Sequence, residues 1–472
     1  MKSFSALSWS FVDNILQQLI NFFIGIILAR LLMPEQFGIV GIITVFIAIS
    51  NVFVNVGLGD ALINKSNASR IDYDTVFWSN IILGLTTYCI IFFLAPFIEK
   101  FFEIARLTFY IRLTALSILF VSISSIHRVV LTKEVNFKVI AIVSFLSVVI
   151  SGAIALVMAY NGYGVLSLII RMTFGQFLTM VFFIIFNKWF PKWEFSKNSL
   201  KDMLNYGLNL FFSRLLNAIY NNIYYFVVGK VFNTSVLGYY TRAENFKNVA
   251  SANITNTVQR VSFSILSKEE KFSNKEQKFL KFILATTLLT FFFMTILFCC
   301  SKEIIVLLVG KKWLLSSHYL KILSVSGLFL PLFTMNINFL AVIKKTKEFL
   351  QLEIISKLLV IPAVIVGVKY GIFALLYSIV TVSVISFLLT FIKLKNYSLT
   401  IVKKECLYVF KILLFTITSI LFSELMGVQM VENNILRLGI KLIIISLSFF
   451  SGLMVFFPEI KFIVKGIIKN DR

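Results

Sequence analysis

The stretch Leu28-Ala29-Arg30-Leu31-Leu32-Met33-Pro34-Glu35-Gln36-Phe37-Gly38 closes one apolar run and opens the next. About 200 residues later Val228-Gly229-Lys230-Val231-Phe232-Asn233-Thr234-Ser235-Val236-Leu237-Gly238 does the same, with Arg30 falling on Lys230 and Gly38 on Gly238. Further along, Asn161-Gly162-Tyr163-Gly164 precedes one apolar span as Val368-Lys369-Tyr370-Gly371 precedes another, so the register drifts by only roughly seven residues. The chain therefore reads as two like halves. In a membrane protein of that build the site lies between the halves.

Hydrophobic residues make up 58%, aromatics 15% and charged residues 14% of the chain, too little polar surface to cover a water-soluble fold of this length. A spanning helix needs about 20 mostly apolar residues, and cutting at charged, Gly- and Pro-containing breaks leaves about fourteen such segments between residues 6 and 457. The expectation is an all-α, polytopic integral membrane protein of about fourteen transmembrane helices. Residues 1–190 form one six-helix lobe, 200–395 a second, parallel one, and 400–472 a peripheral helix pair with a cytoplasmic tail.

Cytoplasmic loops collect Lys and Arg. With both termini placed in the cytoplasm, the loops on that side hold roughly 27 of these residues against roughly 9 on the other. This bias accounts for most of the +23 net charge without nucleic acid, and leaves room for contacts with anionic membrane lipids. Cys89, Cys299, Cys300 and Cys406 lie in or beside apolar spans and read as small hydrophobes. The first span carries Asp13, Gln17 and Asn21 and is followed by no small-residue cleavage site, so it is expected to be a permanent helix.

Polar residues are concentrated in segments one, two, seven and eight. In segment seven Asn205, Asn209, Ser213, Asn217 and Asn221 recur every fourth residue, a slowly turning stripe on one helix. Asp13, Gln17 and Asn21 land on Ser213, Asn217 and Asn221 in the repeat register. In segment eight Glu244, Asn248, Ser251, Thr255 and Gln259 fall within about 80° of one another, and a second stripe bears Arg242, Asn245, Asn253, Asn256 and Arg260. Any single amide or hydroxyl here could be helix–helix glue; the matched stripes are better explained by a water-filled cavity. Arg214 is the leading contact for an anionic substrate, the alternative being an ion pair with Asp13. Arg242 and Arg260 lie nearer helix ends, where snorkelling is the alternative, and Arg171 and Lys321 are similar end-zone cations. Glu353 and Lys357 have the spacing of an intrahelical pair. Asp60, Asp72 and Asp74 read as caps and gating contacts.

The chain lacks His-Glu-x-x-His, Cys-x-x-Cys and a phosphate-binding Gly-rich loop. These absences argue against an enzyme, an ATP-driven pump or a bound cofactor or metal. The opening stretch, with Gly57-Leu58-Gly59-Asp60-Ala61-Leu62-Ile63, Asp74-Thr75-Val76-Phe77-Trp78-Ser79-Asn80, Ala95-Pro96-Phe97-Ile98, Leu237-Gly238-Tyr239-Tyr240-Thr241-Arg242-Ala243 and Gln259-Arg260-Val261-Ser262-Phe263, resembles the bacterial polysaccharide transporters of the multidrug/oligosaccharidyl-lipid/polysaccharide exporter superfamily. The likeness is to the colanic-acid and teichuronic-acid exporter branch. That branch often has Phe-Pro after Arg-Val, whereas this chain has Phe263-Ser264.

The resemblance implies a flippase in the bacterial cytoplasmic membrane. Its substrate would be an undecaprenyl-diphosphate-linked oligosaccharide, and its candidate coupling ions are H+ and Na+. Asn, Gln and Ser would bond sugar hydroxyls, and Arg would pair with diphosphate oxygens. The alternatives are a cation-coupled drug or metabolite antiporter of the same superfamily and, from another class, a membrane polysaccharide polymerase or ligase. A polymerase or ligase would be expected to carry a large outer loop, which this chain lacks.

Overall fold

The computed structural model describes residues 2–425 and 433–456, and these are helical almost throughout. The first stretch quoted above becomes the break between α1 (Lys2–Leu31) and α2 (Pro34–Val54); its repeat becomes the break between α8 (Lys197–Val231) and α9 (Thr234–Ser267). The two breaks share a register and differ in chemistry. Pro34 opens α2, where a missing N–H costs nothing, and the Met33 N–H donates to Gln36 Oε1 at 2.9 Å. At α9 the Val236 N–H donates to the Asn233 side chain at 2.8 Å, an N-cap of the usual kind. Gly164 (φ 57°) and Gly371 (φ 98°) each precede a helix, α7 (Val165–Phe186) and α15 (Ile372–Leu394).

Between these lie α3 (Leu58–Asn64), α4 (Arg70–Phe102), α5 (Leu107–Lys133) and α6 (Phe137–Tyr160), then α10 (Phe272–Cys299), α11 (Ser301–Leu308), a 3-10 turn at Lys311–Trp313 and α12 (Leu314–Val342). Span eleven is not one helix: it is divided at Leu359 into α13 (Thr346–Leu358) and α14 (Val360–Tyr370). The last pair is α16 (Leu399–Leu425) and α17 (Asn434–Phe456). Part of the loop joining this pair, and the tail beyond 456, fall outside the described residues.

Among the described residues eleven segments are long and apolar enough to cross a bilayer. The expected count of fourteen also included α1, α8 and α9. Within α1 the apolar stretch Ile15–Leu31 is shorter than 18 residues, whereas α8 and α9, at 35 and 34 residues, have the length but are too polar to qualify over 18 residues. These last two are among the four segments that carry the polar stripes.

By its contacts the chain groups into Met1–Gly238 and Tyr239–Arg472. In the first unit α4 packs on α5, α5 on α7, α7 on α6 and α6 on α1, while α8 lies on α2, α3 and α4. Where the starts of α2 and α9 cross, a Cβ on Gly38 would stand 1.7 Å from the Thr234 carbonyl oxygen, and one on Gly238 would stand 1.8 Å from that of Pro34. No other residue permits so close a backbone approach. In the second unit α10 packs on α12, α12 on α15 and α15 on α14, and the final pair is attached through α16 on α10. Its core is rich in aromatics, including Phe279, Phe291, Phe339, Phe387 and Phe415.

The segment between α7 and α8 is fastened to the first unit. Asp74 accepts from the Lys192 N–H at 2.8 Å, Trp78 Nε1 donates to Lys192 O at 2.8 Å, and Arg70 donates to Phe190 O at 2.6 Å. Trp78 stacks on Trp193 with centroids 4.2 Å apart. Asp72 accepts from the Ser69 N–H at 2.8 Å and from the Ser199 hydroxyl. Asp72 thus caps α4, as expected of it, and also holds the start of α8.

Candidate functional site

Two neighbouring chambers open inside the first unit, one of about 760 Å³ and one of about 450 Å³. The larger takes its polar wall from Asn51 and Asn55 at the end of α2, Asp60 on α3, Asn80 on α4 and Arg214, Asn217 and Asn221 on α8. The smaller is bounded by Gln17 and Asn21 of α1, Ser144, Ser147 and Ser151 of α6, and Arg171 of α7. Arg128, Gln176, Thr179 and Phe183 line both. Stripes on helices four residues per repeat therefore converge on a common space, which an apolar lobe would not leave open to water.

Charge in the chambers is one-sided. Arg214 pairs with Asp60 at 2.8 Å, and both side chains are about 40% exposed. Its partner is thus Asp60 and not Asp13, which accepts from Gln17 Nε2 at 2.6 Å. Arg171 donates to Asn21 Oδ1 at 2.6 Å, so an amide and no acid faces it. Arg128 is exposed and lines both chambers, and among the described residues no ion pair forms on it. Three arginines and one aspartate among the lining residues leave a formal excess of two positive charges. Arginine does not shed its proton at any relevant pH, and holding one at mid-membrane costs about 2.5–3.5 kcal/mol on insertion scales.

Of the ten residues singled out from sequence, Gln17, Asn21, Arg214, Asn217 and Asn221 meet in these chambers, and Asp13 stands behind Gln17. The side chain of Asn209 lies outside those described. The remaining four are on α9 in the second unit. Arg242 is buried with its guanidinium 5.4 Å from the Trp313 ring centroid, a cation–π contact. Glu244 has Lys247 at 3.9 Å, and Asn248 is half-buried. Arg260 is exposed beside a hollow of about 370 Å³ with Asn256, Gln259, Phe263 and Ser264. Eighteen residues of helix put Arg242 and Arg260 about 27 Å apart. Between them Ser251 donates to Gly327 O at 3.3 Å and Thr255 to Ser251 O at 2.8 Å, so these two hydroxyls serve helix packing.

Sequence reading passed over Arg128. Ser124, Arg128 and Thr132 lie within about 80° of one another on α5, the same four-residue recurrence as on α8. The short hydroxyl side chains of Ser124 and Thr132 sit among Ile, Leu and Val in the sequence, and the stripe disappears into an apolar average. Arg171 was noted only as an end-zone cation, yet it faces the smaller chamber.

Apolar helices thus enclose a cationic, amide-lined space. The backbone is similar to that of the lipid II flippase MurJ in an inward closed conformation, with a TM-score of 0.80 over 96% of this chain and 99% of that one at 18% identity. An inward-facing multidrug resistance MATE transporter gives 0.61 over 81% of this chain and 96% of that one, also at 18% identity. A likeness at this level of identity is one of fold.

The family profile described as "Polysaccharide biosynthesis protein" matches residues 27–318, and the chain belongs to that family. Among its relatives, the teichuronic acid biosynthesis protein TuaB of Bacillus subtilis is 23% identical over 59% of this chain, and the match spans 58% of TuaB. The lipopolysaccharide biosynthesis protein WzxC of Escherichia coli is 21% identical over 78% of this chain and 75% of its own length. The relatives matched by sequence are named for teichuronic acid and lipopolysaccharide biosynthesis, and the structures matched by fold are a flippase and a multidrug resistance transporter.

Proposed function

We propose that this chain is a flippase that carries an undecaprenyl-diphosphate-linked oligosaccharide, a repeat unit of O-antigen, capsule or exopolysaccharide, from the inner to the outer leaflet of the bacterial cytoplasmic membrane. The observation that carries the reading is the pair of neighbouring chambers, where Arg128, Arg171 and Arg214 stand among Asn, Gln, Ser and Thr side chains. Planar guanidinium forks match phosphate oxygens, and the amides and hydroxyls supply both donors and acceptors to sugar hydroxyls. A volume of about 760 Å³ lies within the usual range for ligand sites, roughly 300–1,000 Å³. The Arg214–Asp60 pair then acts as an internal stand-in, released when a diphosphate takes the place of the carboxylate.

In this reading α1, α8 and α9 also span the membrane, which brings the count to fourteen, in two parallel six-helix lobes with α16 and α17 as the peripheral pair. Both termini are cytoplasmic, in line with the Lys/Arg bias of the loops. The lobes rock to expose the site to each side in turn, with no covalent step. Arg242 and Arg260 help the head group near opposite ends of its path, and Glu244 and Asn248 line it between them. An inside-negative potential favours outward movement of the diphosphate by about 2.3 kcal/mol per charge per 100 mV.

The test is export of the surface glycan in cells whose only copy of the gene is Arg128→Gln or Arg214→Gln. Loss of export at normal membrane levels of the protein is expected for both. Full export with both arginines replaced would refute the reading.

A further inference from the structure

In the second unit a carboxyl group is shut into the apolar core far along the chain from the arginines discussed above. Glu405, on the second turn of α16, is fully buried, as are Asn336 of α12 and Thr390 of α15. Asn336 Nδ2 donates to Glu405 Oε1 at 3.0 Å and to Thr390 Oγ1 at 2.8 Å, and the Thr390 hydroxyl donates onward to Phe387 O at 2.6 Å. Two oxygens of this cluster, Glu405 Oε2 and Asn336 Oδ1, are buried with no hydrogen-bond partner. The same three helices contribute Met335, Phe339, Phe387, Ile401 and Val409 to the core.

Among the described residues no cation pairs with the carboxylate. The neighbouring lysines of α16, Lys403 and Lys404, are exposed, and Lys411 reaches Phe456 O. On α15, Lys393 is bonded to Gln351. On α10, Glu276 accepts from Ser398 and Lys278 pairs with Glu269, while Lys281 is exposed. The titratable groups of α12, His318, Tyr319 and Lys321, lie four turns or more from Asn336 along the helix. Arg437 and Lys441 of α17 stand at that helix's first turns, and Lys441 is held by Glu303. Cys406 is exposed and Tyr408 half-buried on α16 itself.

An ionised carboxylate left like this would cost several kcal/mol, and a bound ion removes that cost. A metal cation asks for about six oxygens. Here the nearest group presents its N–H, the Thr390 oxygen is already engaged on both sides, and no metal-binding cluster occurs among the described residues. A proton needs only the free Oε2.

We infer that Glu405, with Asn336 and Thr390, is a proton-binding site whose loading sets how α12, α15 and α16 pack and thereby biases the transport cycle. The coupling to a cycle rests on the transporter reading above; the proton site does not. When the proton leaves, a bare charge remains in the core and the clasp must open toward water. Protonated and deprotonated proteins therefore favour different conformations.

Two measurements on the full chain in lipid vesicles test this separately. The first is infrared spectroscopy: the wild type should show a protonated-carboxyl C=O band that shifts in D2O and is missing from Glu405→Gln, a neutral isostere expected to fold. The second reports conformation: with the four native cysteines replaced, labelling of Asn217→Cys by a water-soluble thiol reagent should change with pH. The limit for one proton is about tenfold per pH unit, and the response should be flat when Glu405→Gln is added. No band lost in the Gln variant would overturn the proton site. A lost band with pH-independent labelling in both proteins would reduce the cluster to a packing clasp and overturn the coupling. A band abolished by added sodium at constant pH would make it a cation site and overturn the assignment to a proton.

Discussion

Replacing Gly38 by alanine should pry apart the crossing of α2 and α9. The added Cβ would lie 1.7 Å from the Thr234 carbonyl oxygen, whereas ordinary contact begins at 3.4 Å, so the two backbones must separate by about 1.7 Å at that point. The obstacle is backbone, with no flexible side chain to swing away. Overpacking of this kind costs about 1–3 kcal/mol. Alanine also gains up to about 1 kcal/mol over glycine in helix propensity, but that gain stabilises α2 in every conformation and drops out of a comparison between them. The state in which the helix starts touch should therefore lose population by about 5- to 150-fold relative to one in which they are apart.

Gly238→Ala meets Pro34 in the reciprocal way and should do the same, and the double variant should cost less than the sum, since one separation relieves both clashes. The assay is the rate of disulfide formation between cysteines placed at Glu35 and Ser235 in a cysteine-free background. Gly439→Ala serves as control, because nothing lies within 4 Å of its added carbon. A cross-linking rate within about twofold of the parent in both Gly38→Ala and Gly238→Ala, the spread of a neutral surface change, would refute the argument.

Asp60→Asn removes the carboxylate that occupies Arg214 and should increase retention of a pyrophosphate probe by the purified protein; unchanged retention would mean that the pair does not compete with phosphate. Glu303→Gln leaves half-buried Lys441 without its buried countercharge, a loss of up to about 3 kcal/mol, the low end for a buried pair, and should lower the thermal unfolding midpoint and loosen α17 first in hydrogen exchange. The hydrogen bond from Lys278 holds the Glu269 carboxyl below its ordinary range. Because the folded value is the lower one, this contribution is complete above the unfolded value, about 4.3, and fades as pH falls through the folded value. Proteolysis between residues 268 and 278 should rise in acid in the wild type and be less pH-dependent in Lys278→Met.

Much of the fold can be read directly from the chain because helix ends and apolar periods are local properties. The breaks at residues 32–33 and 232–233, the glycines before α7 and α15, and the Glu353–Lys357 pair, found at 2.8 Å, all follow from neighbours within a few residues. The division at Leu359 was missed although Pro362, three residues on, favours a helix start there. What resists reading is partner choice across the bundle. Arg214 looks on a helical wheel as though it belongs to its own stripe, but its acid comes from α3, more than 150 residues earlier. Glu405 follows Lys403 and Lys404 and looks like part of a solvated end charge, although a rotation of 100° per residue carries it from their exposed face into the core.

The polarity of α8 and α9 bears on how the protein is made. Helices that carry a row of amides and arginines partition poorly from the translocon into lipid, since each charged residue near the centre adds about 2.5–3.5 kcal/mol. Two of the four segments expected to bear the polar stripes are therefore the ones least able to enter the bilayer alone. When α8 emerges during synthesis, α2, α3 and α4, the helices it packs against, are already made and can shelter its polar side. Substitutions that make α8 greasier should thus raise yield while eroding activity, so expression level and function pull this helix in opposite directions.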